Sequence, residues 1–257
     1  MKNNRKRTKV SLSAANIRVL GILCLMAGCV STVIQKDILG VGQISNAQLL
    51  EVLTDSPDGM LYATAALLGQ ILEICAVPFF ALLLSEGARH TSNYKRYFFQ
   101  VVGLAFVCEI PYHLLTDGQM LVMGSLNPVF SAVLSLIVIY FFRAFHKKTP
   151  MHRVVKAMAI LGAILWSAML GVAFGGPCVI LTAVFWETYG KGKMRILLGC
   201  GSALLCGVFS PLFIFSTTAF LGIYFYNGER GSVNKLANYL AYPVILGAFW
   251  LASISLG

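Results

Sequence analysis

Charge is scarce in this sequence. Asp, Glu, Lys and Arg make up 12% of its 257 residues, while 58% are hydrophobic. A soluble domain carries about a quarter charged residues, so an ordinary soluble enzyme or binding module is excluded. Long polar stretches are missing too: none exceeds about 25 residues, too few to fold as a separate soluble unit. The chain therefore reads as one integral membrane domain over residues 1–257.

Other absences narrow the chemistry. The seven cysteines (Cys24, Cys29, Cys75, Cys108, Cys178, Cys200 and Cys206) fall within apolar runs and show neither CxxC nor Cys/His metal spacing. Neither a disulfide framework nor a metal site is expected, since cysteine in such surroundings behaves as a small hydrophobe. No Ser-His-Asp arrangement, phosphate-binding Gly loop or HExxH string occurs.

What the sequence has instead is apolar runs of membrane length. A helix needs about 20 mostly apolar residues to cross the hydrocarbon core. Such runs occur at Ile17–Gln35, Tyr62–Glu86, Tyr97–Leu115, Asn127–Phe145 and Val154–Val172, then near Pro177–Tyr189, Ile196–Phe209, Leu212–Tyr226 and Tyr239–Leu256. The expected fold is all-α, a polytopic transmembrane helical bundle of about nine spans, or eight if one short hairpin is re-entrant.

The basic residues orient it. Lys and Arg number 20 against 10 Asp and Glu. In a soluble chain this excess would suggest nucleic acid, but here the cations cluster between apolar runs and form no separate basic face. The lipid bilayer, not nucleic acid, is the expected partner. With nine spans, 19 of the 20 cations fall on one side and only Lys36 on the other. Positive charge is retained in the cytoplasm on insertion. That places residues 1–16 in a basic cytoplasmic tail, residues 36–61 in an extracytoplasmic loop, and the protein in the cell (cytoplasmic) membrane. The loop contains Leu49, Leu50 and Leu53, so part of it could lie as a surface helix. A second reading of the N-terminus is a lipoprotein signal with acylation at Cys29. It is the weaker one, because a Met stands where Leu is usual and the apolar run continues to Ile34.

Ionisable groups at membrane depth are costly and are functional candidates by default. Glu73 lies mid-span and must pair, protonate or line a cavity. Glu86 and Glu187 lie near the cytoplasmic surface, where solvation alone explains them. Glu109 and His113, four residues apart, share a helix face and form either an acid–base pair or an interfacial pair. Pro78, Pro111, Pro128, Pro177, Pro211 and Pro243 fall within or at the ends of spans. Proline there frees backbone carbonyls, which suits a polar internal cavity.

Several ordered strings resemble the TraX family. Pro78-Phe79-Phe80-Ala81-Leu82-Leu83-Leu84-Ser85-Glu86-Gly87, with His90-Thr91-Ser92-Asn93 and Tyr97, is similar to its second-span signature. Glu109-Ile110-Pro111-Tyr112, Asn127 with Phe130, Tyr226-Asn227-Gly228-Glu229-Arg230-Gly231 and Tyr242-Pro243 resemble its later elements in order. The resemblance implies a polytopic inner-membrane protein related to conjugal pilin N-acetylation. An acyl group from cytoplasmic acetyl-CoA, as co-substrate, would pass to a peptide or glycan acceptor. On that reading Glu109 and His113 form the catalytic acid–base pair. Arg89, Lys95 and Arg96 hold the CoA, and Glu73, Glu86 and Asn127 contact the acceptor. The chain departs from the family where it commonly carries an Asp-His pair in the first span (here Gly28-Cys29) and an Arg before the second-span proline (here Ile74). It also has Val244-Ile245 after Tyr242-Pro243 where a His is usual, and Ala173-Phe174-Gly175 in place of Asp-Tyr-Gly. Two other functions remain open: a catalytically inert accessory or immunity-type membrane protein, and a small proton-coupled transporter using Glu73. No inverted repeat supports transport.

Overall fold

A computed structural model describes residues 11–41, 54, 58–147, 149–231 and 235–256. Most of the predicted basic tail and of the 36–61 loop lies outside the described residues. The described chain is helical, with two isolated bridges and no strand. In chain order the helices are α1 Ala14–Val33, α2 Gly59–His90, α3 Tyr94–Thr116, α4 Val129–Ala144 and α5 Pro150–Met169. They continue with α6 Gly175–Glu187, α7 Gly192–Leu205, a 3-10 segment Pro211–Thr218 running into α8 Ala219–Tyr224, and α9 Lys235–Leu256. Each of the nine apolar runs falls on one of these elements. This is a membrane-protein helical bundle. By length and composition α1 (with its continuation to Ile38), α2, α3 and α5 can each cross a bilayer, and the remaining apolar helices are shorter.

Local chemistry fixes the helix starts. The Ser13 hydroxyl accepts from the Asn16 amide at 3.4 Å and Asn93 Oδ1 from the Arg96 amide at 3.0 Å. Thr149 caps α5 through the His152 amide, with Pro150 in the first turn, where its missing N–H costs nothing. α1 runs unbroken past Cys29, which is buried, and finishes in a π turn, Ile34–Ile38.

The predicted helix at Leu212–Tyr226 differs from expectation: its first part, Pro211–Thr218, is 3-10. The cause is the Ser-Thr-Thr run. The hydroxyls of Ser216, Thr217 and Thr218 donate to the carbonyls three residues earlier, at 2.6–2.8 Å, and support the tighter winding.

Small residues let α1 and α2 approach closely. A β-carbon on Gly69 would meet the Ala27 carbonyl oxygen at 2.7 Å, and one on Gly21 the Phe80 ring at 2.9 Å. Ser31 Oγ donates to the Ala66 carbonyl at 2.6 Å. Seams of this kind replace the hydrophobic driving force that is missing between helices in lipid. α2 packs against α1, α4, α6, the 3-10 segment and α8, so its middle is the interior of the bundle.

The helix ends sort into two groups. At one, the basic end, the α1 start bridges the segment after α8 (Leu12 with Tyr226), Arg143 lies over Tyr94, and Lys156 on α5 meets Glu187 on α6. At the opposite end, Lys36 Nζ donates to the Leu115 carbonyl at 3.2 Å, and Ser253 bonds Asp37.

Candidate functional site

At the basic end, the last turn of α2 holds Glu86, Arg89 and His90. Buried Glu86 faces His90 Nε2 at 3.3 Å and Arg195 Nη1 at 3.8 Å. The Arg89 guanidinium lies 3.9 Å from the Trp186 ring centre and 4.4 Å from that of Tyr189, and donates to the Trp186 carbonyl. Arg89 is thus committed to pinning α2 to α6, with its buried Nε left without a partner. Glu187 is half exposed and paired with Lys156 at 2.6 Å. Lys95 and Arg96, by contrast, are exposed at the start of α3.

At the opposite end, the predicted Glu109–His113 pair is part of a longer network. His113 is fully buried. Its Nε2 is 3.1 Å from Glu109 Oε1 and its Nδ1 is 3.0 Å from Asp117 Oδ2. Two acceptors flank the ring, and only the imidazolium can donate to both. Asn127 closes the far side. Its backbone amide reaches Glu109 Oε2 at 3.2 Å, its side-chain nitrogen donates to the same oxygen and to the Ala105 carbonyl, and its Oδ1 accepts from the Val129 amide at 2.9 Å. Asn127, one residue before the N-cap Pro128, therefore holds the first amide of α4 while tying it to α3. At the rim, burial pushes the Asp117 carboxyl up. Hydrogen bonds from His113 and Thr116, with the charges of His113 and Lys36, outweigh this and hold it below the usual carboxylate range. The arrangement fits a latch between α3 and α4, whose reactive atoms are already taken.

Glu73 is different. It sits mid-way along α2 against Gly28 of α1, where a β-carbon would lie 2.5 Å from Glu73 Cδ and 2.6 Å from Cγ. Only glycine leaves the Glu73 side chain its place. Cys29, Tyr112 and Tyr242 lie within electrostatic range of it. Among the described residues its carboxylate has no hydrogen-bond or ion-pair partner. It lines a cavity of about 380 Å³ that it shares with Gln70, Ser167, Ser210 and the rings of Phe174, Phe209 and Phe213. Gly175 and Gly176, which open α6, lie on the same wall. The first amides of a helix lack intrahelical partners and carry its positive dipole end. Phe174, the N-cap of α6, has φ 57°. A bulky residue in that left-handed region is strained, and such strain gathers at working sites.

The structure thus joins Glu109, His113 and Asn127, separates Glu86 and Arg89 from them at the other end, and sets Glu73 alone between. Sequence reading missed Gln70, Ser167, Ser210 and Phe174. Gln70 was within reach, being three residues from Glu73 on one helix face. Phe174 lies in the Ala173-Phe174-Gly175 string that departs from the TraX pattern, whereas Ser167 and Ser210 come from distant segments and carry no local signal.

The family model described as TraX protein matches residues 49–253. No curated protein and no solved structure matches the chain.

Proposed function

Since the chain belongs to the TraX family, we propose that it is an acyltransferase of the cytoplasmic membrane, with Glu73 as its general base. The observation that carries this reading is a mid-membrane glutamate that has no hydrogen-bond or ion-pair partner among the described residues and lines a largely apolar cavity together with Gln70, Ser167 and Ser210. The basic end faces the cytoplasm, in line with the charge bias of its loops. Exposed Lys95 and Arg96 attract the phosphates of an acyl-CoA there, while Arg89 holds the frame. Roughly 24 Å of helix separates Arg89 from Glu73, of the order of an extended pantetheine arm.

In the reaction an acceptor amine or hydroxyl attacks the thioester carbonyl and gives its proton to Glu73. The new C–N or C–O bond forms, the C–S bond breaks, and the thiolate leaves with the proton returned from Glu73. The Gly176 N–H, the one first-turn amide of α6 with neither a proline ring nor a carbonyl partner among the described residues, supplies a donor for the developing oxyanion. The resemblance placed a carboxylate in the first span, where this chain has Gly28. The Glu73 carboxyl group, brought from α2, lies where the side chain of residue 28 would begin. The role first assigned to Glu109 and His113 passes to Glu73 because both of their facing atoms are already bonded.

The test is incorporation of labelled acetyl from acetyl-CoA into membranes containing the protein, with peptide and glycan acceptors supplied. Glu73→Gln should abolish a protein-dependent signal, while Glu109→Gln should retain it in the fraction that folds. No signal from folded, inserted protein favours the inert accessory function. Proton-coupled flux lost in Glu73→Gln, without acetyl transfer, favours transport.

A further inference from the structure

Resting on Glu73 as the base, we infer that the cavity takes a neutral, hydroxyl-rich ring, so that the acceptor is a sugar hydroxyl and not an ammonium group. The argument is one of donor and acceptor balance. Glu73 only accepts when ionised. Ser167 Oγ already donates to the Ile164 carbonyl at 2.7 Å and so offers lone pairs to the cavity. Gln70 carries both an amide donor and a carbonyl acceptor, and Ser210 carries a hydroxyl that does either. The opening of α6 contributes one N–H donor, that of Gly176, since the Gly175 amide donates to the Val172 carbonyl at 3.1 Å and residue 177 is proline. The polar part of this largely apolar wall mixes donors and acceptors and is completed by groups that are themselves both, namely hydroxyls. An ammonium group has donors alone and would leave the Gln70 amide and the Gly176 N–H without an acceptor.

Charge and shape agree with this. The lining includes no Lys or Arg, so a phosphorylated or carboxylated group would meet Glu73 without compensation. Phe174, Phe209 and Phe213 offer flat apolar faces for the C–H side of a ring. A volume of about 380 Å³ lies at the small end of ligand pockets, enough for one ring-sized moiety with its immediate substituents. A single sugar unit at the end of a carrier fits this description better than an extended peptide.

The test is direct binding to the full-length protein in nanodiscs, followed by saturation-transfer NMR. The probes are methyl β-glucoside, methyl 2-acetamido-2-deoxy-β-glucoside and a tripeptide amide with a free N-terminus. Saturation transfer to at least one glycoside, displaced by an excess of the same compound and cut at least tenfold in both Gln70→Ala and Ser210→Ala, is the expected result. Ser210→Ala removes one oxygen and guards against misreading a fold defect in the Gln70 variant. Transfer to the peptide alone, or to none of the three, overturns the inference. So does glycoside binding that neither variant weakens. The reading on which it rests fails separately: glycoside binding without acetyl transfer would sink the acyltransferase and leave the sugar site standing. Acetyl transfer to the peptide amine alone would do the reverse.

Discussion

Two carboxylates on neighbouring helices meet opposite fates in this bundle. Glu109 is buried and fully engaged, with His113 on one oxygen and Asn127 on the other. Glu73 is only partly buried, yet it has no hydrogen-bond partner among the described residues and lines a cavity. Both are ionisable groups inside apolar helices, and both would be flagged from sequence for that reason. The difference teaches that cost alone does not mark function. A buried charge whose every lone pair is answered has been spent on holding helices together, whereas one left unanswered keeps its chemistry.

The comparison breaks most readily at His113. Replacing it with Ala leaves Glu109 and Asp117 without their shared donor, and loss of one partner of a buried charged set costs about 3–5 kcal/mol. The expected outcome is a large drop in the unfolding midpoint in detergent, and a variant as stable as the parent would refute the latch. Next comes Glu73→Gln, which should lower acetyl transfer by about a hundredfold or more, the usual contribution of a general base, with little change in stability. A destabilised but still active Glu73→Gln protein would reverse the assignment of the two sites.

Gly28→Ala probes the space between α1 and α2. Its new methyl group would meet Glu73 at 2.5 Å, so an overpacking cost of about 1–3 kcal/mol is expected. Activity should fall with it, because the carboxyl group must move; unchanged turnover would show that its position is not critical. The smallest effect concerns Asp117. Its carboxyl titrates below the ordinary range in the folded protein. Its contribution is therefore present above the unfolded value of about 3.9 and is lost as pH falls through the lower folded value. Because the side chain is 39% exposed, screening keeps the gain below about 1 kcal/mol. Asp117→Asn should be slightly less stable at neutral pH and converge with the parent in acid. A gap that persists at low pH would exclude the charge as its cause.

Much of the fold was legible because it rests on local rules. Each apolar run became a helical element, and Glu109 with His113 paired as their spacing of four residues dictates. What lay beyond local rules was not legible. Asp117 is a further four residues along, and whether α3 continues far enough to bring it onto His113 depends on where the helix ends. Asn127, Arg195 and Trp186 find their partners across the bundle, where the rotation of each helix about its axis decides which side chains meet. Arg89, read as a cofactor ligand, is drawn instead into a stack between two rings of α6 and its following turn. The cavity was foreseen as a polar space near prolines, but its wall is assembled from segments more than a hundred residues apart.

The 3-10 winding of Pro211–Thr218 has a consequence for the length of this part of the bundle. At about 2.0 Å per residue, this stretch and the α8 turns after it reach roughly 25 Å, against about 21 Å for the same residues wound wholly as α-helix. Both lengths fall short of a hydrocarbon core of about 30 Å, so a thinner bilayer would match the α-wound form as readily as the 3-10 form that the Ser-Thr-Thr hydrogen bonds support. Phe213, on this stretch, is part of the cavity wall, so any rewinding there would reshape the pocket. We expect acetyl transfer and amide exchange across 211–224 to change together between short- and long-chain phosphatidylcholine, and independence of the two would sever that link.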